Sequence, residues 1–277
     1  MSTLAVDNIT DSGGSELLGR RNAIINGNFG VNQRGVSGTV SLSAGEYGHD
    51  RWKAGASGCT YTFSTTEGVT TIDISAGSLI QVIEDVNLVT DTYVLSWEGT
   101  AQGKIGAGSY GDSGVTGSVT GGSNLSIEFG TGTVSRVQFE RGNKPTPFEH
   151  RSYGEELALC QRYYWNKKST LSGNWAAMGL VIASNSTRAF GAITCPVTMR
   201  TEPSITFSGT YSSLIGSSEI GALTAFYPYS VTSTTNGWNG ESVEVNVGSG
   251  LSGGSVYRIM LKNLSGTAGE FEFDAEL

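Results

Sequence analysis

Histidine is nearly absent from this chain, and its scarcity excludes several kinds of catalytic site. His49 and His150 are the only two histidines among 277 residues. A catalytic triad needs a base held beside a nucleophile. Neither histidine lies in a sequence pattern that would supply the other residues of such a triad. The Gly-rich stretches lack the lysine and the strand-to-helix context of phosphate-binding loops. We therefore predict no catalytic residue and a structural role for both histidines, His49 in a loop and His150 in a connector.

Long apolar runs and runs of positive charge are also missing. No hydrophobic stretch reaches the roughly 18 residues that a membrane-spanning helix requires. Residues 1–10 carry acidic and polar groups where a signal peptide has its apolar segment. The net charge of −8 would repel a phosphate backbone. We therefore predict synthesis in a cytoplasm, no membrane insertion and no nucleic-acid partner, whereas a glycan is compatible with this surface.

Cysteine is scarce as well, and its distribution excludes a disulfide framework. The three cysteines, Cys59, Cys160 and Cys195, are far apart in sequence. An odd number without metal-like spacing argues against paired disulfides and against a zinc site. We predict buried free thiols and no cofactor.

Glycine and short apolar runs are what the chain has in abundance. It contains 40 glycines, and 38% of its residues are hydrophobic, which is enough for real cores. Alternating runs separated by Gly, Ser and Asn turns are typical of β-sandwiches. We predict a mostly β chain with two β-sandwich domains joined by a short α-helix. The predicted divisions are an extended N-terminal segment at 1–21, a first domain at 22–150, a connecting helix at 151–164 and a C-terminal sandwich at 165–277.

Apolar alternation predicts most of the strands. Residues 22–29 are predicted as an apolar strand that runs into an Asn-Gly turn. The Gly- and Ser-rich stretch 106–123 is predicted as a hairpin or loop, and 211–240 as a loop-like region. The other candidate strands lie at 60–63, 69–74, 78–86, 93–97, 125–129 and 137–142, and then at 178–183, 188–194, 204–208, 242–247, 256–261 and 270–274.

The connecting helix has the clearest local signals. Ser152 and Glu155 have the spacing of a capping box, in which each side chain satisfies a free backbone N–H of the other residue. A helix over 152–164 would place Tyr153, Leu157, Cys160 and Tyr164 on one apolar stripe. Two uses of that stripe stay open, namely packing against the chain's own sandwiches and packing around a threefold axis.

Several segments together carry a family resemblance. They are NGNF at 26–29, DRW at 50–52, QVIED at 81–85, VQFERG at 137–142, PTPFEHR at 145–151 with the following helix, and CPVTMRTEP at 195–203. In order and spacing they resemble segments of bacteriophage tail-fibre and virion-appendage proteins, especially those of marine phages. The first domain resembles the jelly-roll domain of phage fibres related to carbohydrate-binding modules, and the Gly-rich run at 106–123 departs from its usual pattern.

This resemblance implies a function and a set of partners. The chain would be a tail-fibre or receptor-binding protein of the virion that adsorbs to a host-surface glycan. Residues 1–21 would attach it to other tail or baseplate proteins, and three copies would form a homotrimer. One alternative is a purely structural virion protein such as a collar, head fibre or baseplate component. A less favoured alternative is a glycan depolymerase.

Candidate site residues follow from the same argument. Sugar-binding sites combine aromatic rings with amide side chains on loops. The predicted ligand-binding residues are Tyr227, Tyr229, Asn236, Trp238 and Asn239. If recognition lies elsewhere, the Gly-rich run at 106–123 is the next candidate.

Acidic residues give weaker candidates for chemistry. The pairs Glu84–Asp85 and Glu155–Glu156 are poor catalytic dyads, because the first ends a strand and the second suits the positive end of a helix dipole. Jelly rolls of this kind often hold a structural calcium. The oxygens available for one belong to Asn26, Asn28, Asp50 and Glu140, but we favour hydrogen-bonded roles and predict no metal.

Overall fold

The protein is mostly β, as the sequence predicts. The computed structural model describes residues 21–168, 175–207, 212–215, 219–228, 242–264, 267–268 and 270–277. In that part of the chain, antiparallel strands predominate and one α-helix is present. The chain divides into two compact units, of which the first ends at Leu157 and the second runs from Ala158 to Glu276.

From residue 21 onward, the first unit contains eight strands and a short 3₁₀ turn. The strands are β1 Val40–Leu42, β2 Lys53–Thr66, β3 Val69–Ile83, β4 Asp91–Glu98, β5 Gly103–Ile105, β6 Val115–Val119, β7 Leu125–Phe129 and β8 Gly132–Arg141. Their order is β1-β2-β3-β8-β4-β6, and β7 pairs with both β3 and β5. The early part of β3 pairs with β8 and its end pairs with β7, so this strand connects the two parts of the sheet.

Strand β3 joins two segments that the sequence predicts as separate strands. The predicted break contains Gly77, which has a φ of 73°. A Cβ at this position would collide with the carbonyl of Gly58, in the irregular part of β2. Glycine here lets a continuous strand pass closely over its neighbour instead of ending it.

Aromatic side chains from alternating positions fill the core of this unit. Trp52 lies with its ring centroid 4.8 Å from that of Phe29 and 6.0 Å from that of Phe129. Tyr93 stacks on Phe139 at 4.8 Å. The inward positions of β3, β4, β7 and β8 thus bury the large residues that their alternation predicts.

The strand predicted at the start of 22–29 is wrong, whereas the Asn-Gly turn predicted after it is confirmed, since the N–H of Phe29 donates to the carbonyl of Asn26 at 3.0 Å. This segment runs beside β8 without forming a regular ladder, with the N–H of Ala23 donating to the carbonyl of Phe139 at 2.8 Å. Asn26 and Phe29 have φ values of 57° and 51°, which no strand accommodates. The apolar residues Ile24 and Phe29 are buried in the core, so the alternation reflects burial and not strand geometry.

The single described helix is shorter than the sequence predicts. Helix α1 spans Tyr153–Gln161, whereas Tyr164 already begins a strand. The capping box is confirmed, because Ser152 N–H donates to Glu155 Oε2 at 3.1 Å and Glu155 N–H to Ser152 Oγ at 3.4 Å. The apolar stripe is wrong, since Tyr153 is 63% exposed while Cys160 is buried.

The described residues of the second unit form ten strands. They are β9 Tyr164–Lys168, β10 Trp175–Ala183, β11 Arg188–Ile193, β12 Ser204–Phe207, β13 Ser212–Ile215, β14 Glu219–Pro228, β15 Val243–Val247, β16 Val256–Leu264, β17 Thr267–Ala268 and β18 Glu270–Asp274. The order β10-β11-β15-β14-β13-β16 closes into a ring, because β16 also pairs with β10. Strands β12, β18 and β9 form a separate three-stranded sheet.

The prediction of a loop-like region at 211–240 is wrong for its first half. Strands β13 and β14 lie there and pair with each other, and β14 also pairs with β15. Phe226 on β14 is buried, with its ring 4.8 Å from that of Phe271 on β18. The prediction that 270–274 alternates between a dry and a wet face is confirmed, since Phe271 and Phe273 are fully buried and their neighbours are not.

Candidate ligand-binding site

Most of the predicted ligand-binding residues cannot be placed. Tyr229, Asn236, Trp238 and Asn239 lie outside the described residues, as do residues 1–20 of the predicted anchor. Tyr227 has a described backbone position on β14, where it is the register partner of Glu244 on β15. The aromatic-and-amide site at 227–239 therefore stays a prediction.

Several of the segments that carry the family resemblance, at 26–29, 81–85, 137–142 and 145–151 with the start of the helix, contribute to one buried and half-buried polar network, which we call the polar clamp. Its members are Asn22, Asn26, Gln81, Gln138, Glu140, Glu149, Arg151 and Glu156. At one end, Asn22 donates from Nδ2 to the carbonyl of Val137 at 3.0 Å and accepts from Phe139 N–H at 3.0 Å. Glu149 accepts from the N–H of Asn22 at 2.7 Å and donates its own N–H to Gln138 at 2.6 Å.

Arg151 and Glu156 extend the clamp to the start of α1. The guanidinium of Arg151 donates to the carbonyl oxygens of Ile24, at 2.8 Å, and Asn22. Glu156 accepts from the N–H of Asn26 at 2.5 Å and from Arg151 at 3.4 Å. Glu156 thus has a specific partner in addition to the favourable helix-terminal position that the sequence indicates.

Three of the four candidate calcium residues have their side-chain oxygens bound by protein donors, whereas the buried Oδ1 of Asn28 has no hydrogen-bond partner among the described residues. The side chain of Asn26 exchanges hydrogen bonds with the backbone of Val31 at 2.8 and 3.0 Å. Asp50 accepts two 2.6 Å bonds from Gln33, and burial raises the pKa of its carboxyl despite these bonds. Glu140 accepts from Thr146 N–H at 2.8 Å. Among the described residues no cluster of three or more His, Cys, Asp or Glu could hold a metal ion.

His49 packs inside the first unit, which agrees with the structural role predicted for it. It is buried, its Nδ1 lies 2.9 Å from the hydroxyl of Tyr61, and its ring meets that of Phe63 edge-on at 4.6 Å. Burial lowers its pKa from 6.5 to about 4, so the ring is neutral at pH 7. One Gly-x-Ser-x-Gly string, at 250–254, connects β15 to the antiparallel β16 and so lacks the strand-to-helix turn of a nucleophile elbow.

The Gly-rich stretch after β5 positions an exposed tyrosine on the sheet. Gly103 and Gly111 exchange two backbone hydrogen bonds of 3.0 and 2.9 Å, and this antiparallel bridge sets Tyr110 opposite Lys104. Gly103 leaves room for the rings of Trp97 and Phe129, which a Cβ would contact at 3.0 Å or less. The glycines therefore let an irregular segment lie closely on the edge of the sheet.

Tyr110, Lys104 and Glu128 form what we call the Tyr110 site. Lys104 is the register partner of Glu128 on β7, and their charged groups are 2.8 Å apart. The hydroxyl of Tyr110 donates to the other carboxylate oxygen of Glu128 at 2.9 Å. The ammonium of Lys104 also lies 4.9 Å from the centre of the Tyr110 ring, which fixes the ring by a cation–π contact.

Electrostatics keep the Tyr110 site in one protonation state near neutral pH. Burial alone would raise the pKa of Glu128, but hydrogen bonds from Lys104, Ser78 and Tyr110 and the charge of Lys104 hold it below its usual value. Burial, and then the bond to Glu128, raises the pKa of Tyr110 to about 12. Tyr110 is still 41% exposed, so it offers a fixed aromatic surface beside a carboxylate and an ammonium.

The site has the features of a binding surface. Gln102 and Asp112 lie beside it, with Gln102 Nε2 3.5 Å from Asp112 Oδ1. An exposed ring bordered by amide, carboxylate and ammonium groups can stack on the apolar face of a sugar and exchange hydrogen bonds with its hydroxyls. The sequence indicated this segment only as a second choice, because the pairing of Tyr110 with Glu128 spans 18 residues and depends on the sheet register.

Comparisons with family models, curated proteins and solved structures find no match to this chain. The described part of the chain contains no helix with the length and apolarity needed to cross a membrane.

Proposed function

We propose that this protein is a non-enzymatic receptor-binding component of a phage tail fibre, which attaches the virion to its host by binding a surface glycan. The segments at 26–29, 50–52, 81–85 and 137–151 support the virion assignment through their resemblance to phage fibres. The observation that carries the glycan assignment is the Tyr110 site, an exposed ring held at a fixed angle among hydrogen-bonding groups.

The restraint on Tyr110 is what makes this site suited to a weakly interacting sugar. The cation–π contact and the hydrogen bond to Glu128 order the ring before any ligand binds. Binding then costs little side-chain entropy, which otherwise consumes much of a small interface's free energy. A single site of this size binds weakly, and several copies on one particle multiply the effect through avidity.

A purely structural virion protein is the alternative that another observation favours. The polar clamp fixes the segment entering the first unit against both β8 and the start of α1. A structural spacer needs its entering segment to be held firmly on the domain, whether or not the protein binds a ligand. Binding to host cells distinguishes the two functions, and release of reducing ends from host polysaccharide would instead indicate a depolymerase.

The decisive experiment measures adsorption of the purified, labelled full chain to host cells and to their isolated polysaccharide. Tyr110→Ala removes the ring, and we expect at least about tenfold weaker binding, a loss of about 1.4 kcal/mol. Tyr110→Phe keeps the ring and should retain most of the binding. Tyr153→Ala serves as the matched control, because Tyr153 is also exposed but lies on α1.

Two results would decide against glycan binding at this site. Equal adsorption of Tyr110→Ala and the unaltered chain would show that the glycan does not bind at Tyr110. Trp238→Ala then tests the predicted site at 227–239. Failure of the unaltered chain to bind either cells or polysaccharide would favour the structural alternative.

A further inference from the structure

Exposed aliphatic side chains are concentrated at two places in the described part of the chain. The large hydrophobic residues that are exposed include five aliphatic ones, namely Val86, Val89, Leu180, Ile182 and Val256. The first two lie in the first unit, in the turn at 84–91 after β3, which we call the valine turn. The other three lie on two neighbouring strands of the second unit and form what we call the aliphatic face. Single exposed apolar residues are common on protein surfaces, but grouped ones indicate an interaction surface.

The aliphatic face is set by strand register. Ile182 on β10 and Val256 on β16 are register partners, and Leu180 lies two residues along β10 on the same side. These three side chains are 55%, 57% and 58% exposed, whereas the intervening Val181 is fully buried. Phe190 on β11 is the other register partner of Ile182 and extends the apolar surface across three strands.

The valine turn is a fixed projection and not a loose connection. The N–H of Leu88 donates to the carbonyl of Asp85 at 2.9 Å, and the side chain of Leu88 is buried. Asn124 accepts from the N–H of Asp85 at 3.0 Å, and the hydroxyl of Tyr93 accepts from the N–H of Val89 at 3.2 Å. Val86 is nevertheless 75% exposed and Val89 51%. The turn therefore holds two apolar side chains in solvent on an ordered backbone.

The two surfaces carry opposite charge. The valine turn contains Glu84, Asp85 and Asp91, of which Glu84 is buried and Asp91 is paired with Arg141 at 2.6 Å, so the half-buried Asp85 carries the accessible negative charge. On the aliphatic side of β15, β11, β10 and β16, the described charged side chains are Arg258, exposed beside Val256, and Arg188 bound to Glu244 at 2.7 Å. The turn is therefore net acidic and the face net basic. In a chain with a net charge of −8, copies can approach closely only where such local charges are opposite.

We propose that the valine turn of one copy docks on the aliphatic face of another copy of this chain. Val86 and Val89 would cover Leu180, Ile182 and Val256, and Asp85 would lie near Arg258. The occupant is a second copy because this chain carries both surfaces. Each exposes apolar side chains that the other can cover, and their charges are opposite. This interaction does not depend on glycan binding, and either proposal can fail while the other stands.

The geometry of such a contact restricts the assembly. Two different surfaces meet, so the contact is heterologous, and repeated application of it gives either a closed ring or an open filament. A three-membered ring is the closed form consistent with the homotrimer that the sequence predicts. Each contact is small, and closure of the ring adds the avidity that a single contact lacks.

Cross-linking between differently labelled copies tests the proposal directly. Val86→Cys and Ile182→Cys are made as separate full-length chains, mixed, and treated with a short bifunctional maleimide. We expect a linked pair that contains one chain of each kind, and no such product above background from either variant alone. The unaltered chain is the control for cross-linking through the native cysteines. This background should be low, because Cys59 and Cys160 are buried and Cys195 is half-buried.

A charge exchange provides the second test. Asp85→Lys and Arg258→Glu should each lower the solution mass to that of a monomer at micromolar concentration, and the double variant should restore the assembly. Restoration by the double variant would show that the single variants act by breaking a charge contact and not by damaging the turn. Far-UV circular dichroism checks independently that each single variant is folded. A monomeric unaltered chain, or linking of Ile182→Cys to itself in place of Val86→Cys, would overturn the proposal.

Discussion

The two units of this chain stabilise their folds by different means. In the first, buried Asn, Gln, Glu and Arg side chains hold non-strand segments on the sheet through the polar clamp. In the second, Glu244 is the only buried polar or charged residue among those whose side chains are described. Its core is aromatic like that of the first unit, with Trp165 stacked on Phe273 at 4.3 Å and Phe226 edge-on to Phe271, but no comparable polar network accompanies it among the described side chains.

This difference has energetic consequences. A buried polar network stabilises a fold only when every member has its partners, and each group left unsatisfied costs about 1–3 kcal/mol. An aromatic core loses stability roughly in proportion to the volume removed. The first unit should therefore be sensitive to single polar substitutions and to pH, and the second chiefly to truncation of its rings.

The largest expected effect tests the polar clamp. Asn26→Ala removes the bonds to Val31 and to the carbonyl of Asp50, and it places alanine at a φ of 57°. We expect a loss of about 4 kcal/mol in the free energy of unfolding of the first unit. Urea-dependent labelling of the buried thiols measures this, with Cys59 reporting on the first unit and Cys160 on the second.

The neighbouring asparagine is the matched control for that substitution. Asn28 is half-buried and its side chain donates one bond to Gly68 at 2.9 Å. Asn28→Ala should cost less than about 1 kcal/mol. Equal effects of the two substitutions, or faster labelling of Cys160 than of Cys59 in Asn26→Ala, would contradict the contrast between the units.

An intermediate effect is expected from acid. His49 has a pKa of about 4 in the folded state against 6.5 when unfolded, so the unfolded chain takes up a proton first as pH falls. The stabilisation is complete above pH 6.5 and is lost as the pH falls to 4, by about 3 kcal/mol in all. Both histidines precede Ala158, so this contribution is confined to the first unit.

Urea unfolding at pH 7 and pH 4 measures this dependence, again through Cys59 with a thiol reagent that reacts in acid. His49→Gln should be less stable at pH 7 and should show a smaller loss between the two pH values. An unchanged pH dependence in this variant would assign the acid sensitivity to carboxylates instead.

The smallest expected effect concerns the helix that crosses the division between the units. Ser152→Ala removes the side-chain half of the capping box and should cost about 1 kcal/mol. Hydrogen exchange of the first amides of α1 should then be about fivefold faster. Ser152→Asp keeps an acceptor and is the control. No change in exchange with Ser152→Ala would show that Glu156 and the clamp hold the helix start without the cap.

Local patterns predicted a large part of this fold. Strict alternation at 270–274 and the Ser152–Glu155 spacing each depend on neighbouring residues, and both are confirmed. The mostly β class follows from the same local signals. The two strands at 212–228 were missed because they lie among turn-forming residues and β13 has only four residues, and pairing with β16 and β15 stabilises them.

What the sequence alone determined is therefore the class of the fold, the strand at 270–274 and the start of the helix, since alternation and capping act within a few residues. Only the tertiary structure decided that 22–29 is clamped to β8 without being a strand, because its bonds come from residues more than 100 positions away. It also decided that Tyr110 is held against Glu128, since sheet register brings them together. Long-range hydrogen bonds and register depend on the folded chain, and no local pattern encodes them.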